Sequence, residues 1–260
     1  RAKVTAFQAI LATFAPYIIK ICMANPYFQF KKFTIRHDKC AMKVGTDAVL
    51  LGAWTDTASC KNILDIGTGT GIIALMLAQR SCADIDAIDI DKEACVQAEE
   101  NVAASPFAGR IKVIPASCAD FARSMAQKKY DLIVSNPPYF INSLKCPDNK
   151  RSIARHTDSL PLSELVENAR ALLSSVGRIA LVLPYEQLEK VRETAQKNSL
   201  HFCRQTNVIP VPGAQPKRLL VELSPVSTDT KNRNTLTIEE ARHQYTPEYI
   251  ALTKDFYLKM

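Results

Sequence analysis

Residues 63–71 read ILDIGTGTG, an apolar run followed by three glycines within five positions. The run at 63–66 has the length and composition of a buried strand, and the following segment, GIIALMLAQ, is apolar over a helical length. Glycine allows the tight turn and the close ligand approach that such a strand-to-helix loop requires. Open α/β sheets bind ligands at these loops, outside the carboxyl ends of the strands. We therefore predict an α/β sheet with a ligand site at Gly67, Gly69 and Gly71.

A carboxylate follows this loop at the spacing that suits a ribose. Asp89 ends the next predicted strand, ADIDAID, about 20 residues after the loop, where a carboxylate can accept both ribose hydroxyls. A dinucleotide fold would have G-x-G-x-x-G, whereas the spacing here is G-x-G-x-G preceded by Asp65. The pattern resembles motif I of S-adenosylmethionine-dependent methyltransferases, whose ligand carries no phosphate. Asp91 is expected to cap the following helix rather than to bind the ligand.

Strand and helix signals alternate along the chain from residue 46 onward. Alternation of this kind predicts a doubly wound, mostly parallel sheet. The last two predicted strands, FCRQTNVIPV and RLLVELS, have no helix between them, so we expect a hairpin that adds an antiparallel edge strand. With seven strands, the predicted fold is the Rossmann-like α/β sheet of class I methyltransferases. We expect residues 23–260 to form a single domain and residues 1–22 to be an extra segment outside it.

The composition is that of a soluble globular protein with a net positive charge. The 260 residues are 47% hydrophobic and 23% charged, as in a soluble globular protein, and the formal net charge is +7. A positive charge favours an anionic partner such as nucleic acid, although many basic proteins bind none. The eight cysteines form no CxxC pair, so the sequence indicates neither a metal site nor a redox motif, and the cytosol is expected. We expect no membrane partner and favour a monomer, with the oligomeric state left open.

The segment YDLIVSNPPYF, residues 130–140, ends a predicted core strand in an amide, two prolines and two aromatic residues. Proline cannot donate to a sheet, so the strand must end there. The NPPY motif resembles motif IV of methyltransferases that act on planar nitrogens: adenine N6, guanine N2, cytosine N4 or a glutamine amide. The resemblance implies that the Asn136 side-chain oxygen and the Pro137 carbonyl each accept one N–H of a weakly nucleophilic nitrogen. It also implies that a flipped base stacks on Tyr139.

Further residues extend the resemblance to methyltransferases and imply S-adenosylmethionine as the cofactor. Asp120 and Phe121 follow the third predicted strand, where this class carries a carboxylate for the adenine amine and an apolar ring against its face. Thr46 and Asp47 can cap a helix, and the resemblance places them beside the methionine end of the cofactor. The predicted cofactor-binding residues are Thr46, Asp47, Asp65, Gly67, Gly69, Gly71, Asp89, Asp120, Phe121 and Asn136, and the predicted catalytic residues are Asn136, Pro137 and Tyr139.

Residues 28–54, FQFKKFTIRHDKCAMKVGTDAVLLGAW, resemble the N-terminal segment of the bacterial tRNA1(Val) N6-adenine methyltransferases. The similarity continues through SNPPYF, through ARHT at residues 154–157 and through the C-terminal YTPEYIALTKDFYLKM. The resemblance implies methylation of N6 on the adenine just 3′ of the anticodon in tRNA1(Val).

Two basic segments are candidates for tRNA contacts: one around Lys31 and Lys32, and one in the loop after NPPY. Together they could flank a groove that follows phosphates, or they could be solvated surface charge. His156 either donates a hydrogen bond to the substrate or has a structural role. The candidate tRNA residues are Lys31, Lys32, Lys145, Lys150, Arg151, Arg155 and His156.

Other functions remain open at this point. A protein glutamine-N5 methyltransferase shares NPPY, but that family carries a helical domain before motif I that about 60 residues do not comfortably supply. Another base-amine methyltransferase, acting on ribosomal RNA or DNA, is a further alternative, and a DNA enzyme would be expected to carry a target-recognition domain. An RNA-binding module without catalysis would be expected to have a damaged glycine loop or NPPY motif, and both are intact.

Overall fold

The computed structural model describes residues 25–40, 42–138, 160–227 and 232–260. The strands in these ranges are β1 (Tyr27–Gln29), β2 (Thr34–Arg36), β3 (Asn62–Ile66), β4 (Asp84–Asp89), β5 (Ile111–Pro115), β6 (Tyr130–Ser135), β7 (Leu173–Pro184), β8 (His201–Ile209), β9 (Arg218–Ser224), β10 (Asn232–Thr237), β11 (Glu239–Ala241) and β12 (Gln244–Tyr245). The α-helices are α1 (Thr46–Trp54), α2 (Ile72–Arg80), α3 (Lys92–Ala103), α4 (Cys118–Ser124), α5 (Leu162–Leu172), α6 (Leu188–Lys197) and α7 (Pro247–Thr253).

The central sheet has the strand order β10-β8-β9-β7-β6-β3-β4-β5. Every neighbouring pair is parallel except the two that involve β9, which is antiparallel to β7 and to β8. The predicted doubly wound, mostly parallel sheet is confirmed, as is the hairpin of β8 and β9. The sheet has eight strands where the sequence predicts seven, because β10, NRNTLT, is too polar to be recognised as a strand. The strand β10 therefore forms the edge of the sheet, and the antiparallel β9 is the third strand from it, after β8.

The strand order reverses at β3, which pairs with β4 on one side and with β6 on the other. Ile66, the last residue of β3, is in register with Ile88 of β4 and with Ser135 of β6. The three loops that follow these strands therefore leave the sheet side by side. A crevice at such a switch point is where α/β sheets bind ligands.

Two hydrophobic clusters cover the two faces of the sheet. One packs α1 and α2 with the β1–β2 hairpin, and the other packs α4, α5 and α6. Neighbouring residues of the central strands face opposite clusters; Leu132 of β6 contributes to the first and Ile133 to the second. Burial on both faces explains why these strands are almost uniformly apolar.

The start of α1 differs from the prediction that Thr46 and Asp47 cap it. The N-cap is Gly45, which has no side chain that could cap the helix. Thr46 and Asp47 are the first two residues of the helix. A carboxylate in the first turn still interacts favourably with the positive end of the helix dipole. In the described ranges, no helix is long and apolar enough to cross a membrane. Residues 1–22 lie outside these ranges.

Candidate active site

The glycine loop connects β3 to α2 in a conformation that favours glycine at three positions. The φ angles are +72° at Gly67, +54° at Gly69 and +80° at Gly71, all in the left-handed region. The amides of Gly67 and Thr68 donate to the Ile88 carbonyl at 2.9 and 3.0 Å, which ties the loop to the end of β4. A Cβ on Gly67 or Gly69 would meet no described atom within 4 Å. The loop thus presents open backbone on which a ligand can lie.

Asp89 lies beside this open backbone at the carboxyl end of β4. Its Oδ2 accepts from the Gly69 amide at 2.8 Å, and its Oδ1 accepts from the Asp91 amide at 3.0 Å. Burial raises the pKa of Asp89, and these two backbone hydrogen bonds oppose that effect. A carboxylate has about four acceptor positions, so the two oxygens can still accept a pair of ribose hydroxyls. The prediction that Asp91 caps the following helix, α3, is confirmed, since its side chain accepts from the amides of Glu93 and Ala94.

Asp65 lies beneath the glycine loop, with 0% of its surface exposed. The Thr68 hydroxyl donates to its Oδ2 at 2.7 Å, which holds the loop from below. Burial raises the pKa of Asp65 to about 7, against the opposing effects of the Thr68 hydroxyl and the Ala74 amide. The observed contact of Asp65 is therefore with the loop, and its contact with the cofactor remains a prediction.

The NPPY motif begins directly beside the glycine loop. Ser135, buried at the end of β6, donates its hydroxyl to the Ile66 carbonyl at 2.8 Å, in addition to pairing with Ile66 in the sheet. Asn136 is half-buried and Pro137 is buried, at the point where β6 ends. Motif I and motif IV are thus brought together. Tyr139 lies outside the described residues.

Arg218 and Ile90, which the sequence did not single out, also lie at the carboxyl ends of the parallel strands. Arg218 Nε donates to Asp47 Oδ2 at 2.7 Å, and Arg218 is in register with Pro184 at the carboxyl end of β7. This ion pair fixes the start of α1 beside the crevice. Ile90, directly after Asp89, is 62% exposed. The sequence did contain a signal for Ile90: it is an apolar residue placed directly after the acid that ends a strand, where ligands bind the sheet.

Asp120 and Phe121, the predicted contacts to the adenine, have different environments. Asp120 is exposed in the first turn of α4, accepts from the Ser117 hydroxyl at 2.6 Å and pairs with Arg123. These contacts lower the pKa of Asp120. Phe121 is 3% exposed, and its ring centroid lies 6.4 Å from that of Tyr130 in the second hydrophobic cluster. The observed role of the Phe121 ring is core packing, and a contact of either residue with the cofactor remains a prediction.

The basic N-terminal segment, residues 31–43, of which residue 41 lies outside the described ranges, is hydrogen-bonded to the glycine loop through Asn101, which contacts the Arg36 backbone and the Thr70 carbonyl. Lys32 and Lys43 are exposed, and Lys31 Nζ donates to the Lys254 carbonyl at 2.6 Å, beside the bridge between Phe30 and Tyr257. Burial raises the pKa of Cys40 to about 12, with further contributions from the negative charges of Asp89 and Asp91. The other candidate tRNA residues lie outside the described ranges: Lys145, Lys150, Arg151, Arg155 and His156. Among the described residues, no cluster of three or more His, Cys, Asp or Glu could hold a metal ion.

The raised pKa of Asp65 predicts a pH-dependent stability. Between an unfolded pKa near 3.8 and a folded pKa of about 7, the folded state binds one proton more, so stability falls as pH rises through this window. Asp65→Asn removes this titration, and the wild type should lose roughly 2–3 kcal/mol relative to the variant between pH 5 and pH 8. Denaturant unfolding of the cofactor-free protein at the two pH values measures the difference. Asp84→Asn, which removes an exposed carboxyl on β4, is the matched control. An equal pH dependence in wild type and Asp65→Asn would contradict the prediction.

Comparison with known proteins agrees with this geometry. The family model of the methyltransferase small domain matches residues 40–205. A "tRNA1(Val) (adenine(37)-N6)-methyltransferase" of Parabacteroides distasonis is 60% identical over 238 residues, which cover 92% of this chain and 100% of the relative. A relative of the same name from Trichodesmium erythraeum is 50% identical over 240 residues, with coverages of 91% and 100%.

Solved structures add a fold-level likeness. A predicted O-methyltransferase of Agrobacterium tumefaciens superposes with a TM-score of 0.58 at 19% identity, over 81% of this chain and 96% of that one. At this identity the likeness shows the fold alone. The family match and the full-length relatives carry the assignment further: the chain belongs to the methyltransferase small domain family and, within it, to the family of the bacterial tRNA1(Val) (adenine(37)-N6)-methyltransferases.

Proposed function

We propose that this protein transfers a methyl group from S-adenosylmethionine to N6 of an adenine in tRNA, and that the target is the adenine 3′ of the anticodon of tRNA1(Val). The observation that carries the proposal is the pairing of Ile66 with Ser135, which holds the NPPY motif against the glycine loop. The full-length relatives bear the name of this activity. A tRNA substrate also implies action in the cytoplasm.

The crevice fits S-adenosylmethionine, which when bound supplies a methyl group activated by a sulfonium. The open backbone of Gly67 and Gly69 would lie against the ligand, and the free acceptor positions of Asp89 would bind the two ribose hydroxyls. Asp65 and Thr68 keep the loop in this conformation from below. Thr46 and Asp47, at the start of α1, would close the site at the methionine end. Asp120 would accept from the adenine amine.

The chemistry needs orientation of the target nitrogen more than it needs a base. The lone pair of an adenine amine is delocalised into the ring, so the amine attacks poorly unless it is pyramidalised. The Asn136 side-chain oxygen and the Pro137 carbonyl would each accept one N–H and aim the lone pair at the methyl carbon. When bound, S-adenosylmethionine would supply the methyl carbon, and its sulfur would keep the electron pair of the C–S bond. The methylated nitrogen is then cationic and acidic, and it releases one proton to solvent. Tyr139 would stack on the flipped base.

A nucleoside assay tests the whole proposal. The protein is incubated with labelled S-adenosylmethionine and tRNA from a strain that lacks this modification, and the labelled nucleoside is mapped. N6-methyladenosine in the anticodon fragment of tRNA1(Val) is expected. Label in another RNA or in DNA, or N5-methylglutamine in a release factor offered in parallel, would assign the site to another substrate.

Asp89 should contribute strongly to cofactor affinity. Loss of a charged acceptor that binds two hydroxyls should cost roughly 1.5–3 kcal/mol, or about 10- to 150-fold in Kd. Calorimetry of S-adenosylmethionine binding to Asp89→Ala measures this loss, and thermal unfolding controls for the two amide bonds that the carboxylate also makes. Asp91→Ala, which removes the neighbouring helix cap, is the matched control. An unchanged Kd in Asp89→Ala removes Asp89 from the site.

Asn136 should act in the methyl-transfer step. Asn136→Ala should fold normally, because the residue lies beyond the end of β6, and it should slow single-turnover methylation about 10²–10³-fold when S-adenosylmethionine is saturating. Pro138→Ala, an exposed neighbour in the same turn, should be mild by comparison. Single-turnover measurements with saturating S-adenosylmethionine and unmodified tRNA separate binding from chemistry. A near-normal rate in Asn136→Ala would reduce NPPY to a structural turn.

The exposed cations of residues 31–43 should contribute to tRNA binding through phosphate contacts. Replacing Lys32 and Lys43 together by Gln should weaken binding and flatten the slope of log K against log salt by roughly one to two units. Filter binding over a salt series measures the slope. Replacing Lys190 and Lys197, both exposed on α6, is the control for loss of two charges. Identical slopes in all three proteins would place the tRNA elsewhere.

A further inference from the structure

A single buried side chain connects the basic N-terminal segment to the glycine loop. Asn101, in the last turns of α3, is 2% exposed. Its Oδ1 accepts from the Arg36 amide at 2.9 Å, and its Nδ2 donates to the Arg36 carbonyl at 2.9 Å. The same Nδ2 also donates to the Thr70 carbonyl at 2.9 Å. One amide thus satisfies three backbone groups from two segments that are distant in the sequence.

Helix stability does not explain this asparagine, because asparagine is a poor helix former. Its hydrogen bonds do explain it. Thr70 lies between Gly69, whose amide binds Asp89, and Gly71, the N-cap of α2. A continuous path of hydrogen bonds and loop backbone therefore runs from the proposed ribose carboxylate through Thr70 and Asn101 to Arg36.

Gln97, one turn earlier on α3, makes a related but different contact. It is 0% exposed, and its Oε1 accepts from the Lys39 amide at 3.0 Å. Its Nε2 donates to Glu100 at 3.2 Å, on the same helix. Gln97 and Asn101 thus hold the same stretch of the N-terminal segment. Of their hydrogen bonds in the described part of the chain, only those of Asn101 reach the glycine loop.

We propose that Asn101 is a positioning residue that couples cofactor binding to tRNA binding. A cofactor that settles on Gly67 and Gly69 restricts the Thr70 carbonyl, and Asn101 passes this restriction to the backbone of Arg36. The exposed cations of the segment are then held in the arrangement that meets the tRNA. Coupling of this kind is reciprocal, so bound tRNA must tighten cofactor binding by the same factor. The inference rests on the proposed function, because it requires the cofactor at the loop and tRNA at the segment.

The test is the affinity for S-adenosylhomocysteine, an unreactive probe, measured by calorimetry with and without saturating unmodified tRNA1(Val) transcript. In the wild type, tRNA should tighten this affinity by at least about fivefold. The coupling ratio is the Kd for S-adenosylhomocysteine without tRNA divided by the Kd with tRNA. In Asn101→Ala this ratio should fall to near one. In Gln97→Ala, which also removes a buried amide from the same helix, tRNA binding should weaken while most of the ratio persists. Asn101→Ser, a smaller change, is measured beside Asn101→Ala in case the latter does not fold.

A wild-type ratio in both Asn101 variants overturns the inference, as does an equal loss of the ratio in Gln97→Ala, which would indicate general loosening of the segment. A wild-type ratio of one also overturns it. These results leave the proposed function intact so long as the wild type methylates tRNA. Absence of methylation in the wild type, by contrast, is a failure of the proposed function, and the inference fails with it.

Discussion

Strand β3 ends at Ile66 in register with the ends of both of its neighbours, and the candidate site depends on this pairing. On one side, the Ile88 carbonyl accepts the first two amides of the glycine loop; on the other, the Ser135 hydroxyl donates to the Ile66 carbonyl. Backbone hydrogen bonds and one buried hydroxyl therefore set the distance between the cofactor loop and the NPPY turn. The only side chain among these contacts is the short, buried Ser135, which suits a reaction whose rate falls with small misplacements.

The crevice separates two kinds of charge within a basic protein. Asp47 and Asp89 lie at the carboxyl edge of the sheet, where Asp47 pairs with Arg218 and Asp89 accepts from the Gly69 amide. An acidic edge suits a cofactor that carries a positive sulfonium. The exposed lysines of residues 31–43 lie on the segment that approaches this edge, where they suit an anionic nucleic acid. Asn101 hydrogen-bonds both the Arg36 amide of this segment and the Thr70 carbonyl of the glycine loop, so the two kinds of charge meet beside the proposed ribose site.

Much of this arrangement could be predicted from the sequence, because the decisive signals are local. Apolar runs and glycines define β3 and its loop, and an acid at the end of the next strand defines Asp89. The polar β10 escapes recognition because its place at the sheet edge demands no apolar pattern. The contact of Asn101 with Arg36 joins residues that are 65 positions apart, and that of Arg218 with Asp47 joins residues that are 171 positions apart. Neither contact leaves a periodic pattern in the sequence, so neither could be predicted. Burial of Asp65, which raises its pKa to about 7, is likewise a property of the packed loop and not of the motif.

The partners of these carboxylates also bear on the mechanism. Asp65 is enclosed beneath the loop, Asp89 accepts two backbone amides, and Asp47 pairs with Arg218, so each is committed to holding the site together. In the proposed mechanism none of the three removes a proton from the substrate amine. An amine that attacks a methyl group needs no such base, because it becomes acidic only after the N–C bond has formed. What it requires is two fixed acceptors, and in the proposed mechanism these are the Asn136 side-chain oxygen and the Pro137 carbonyl. Both follow a strand end that the Ser135 hydroxyl ties to β3, and the proline restricts the backbone directly after Asn136.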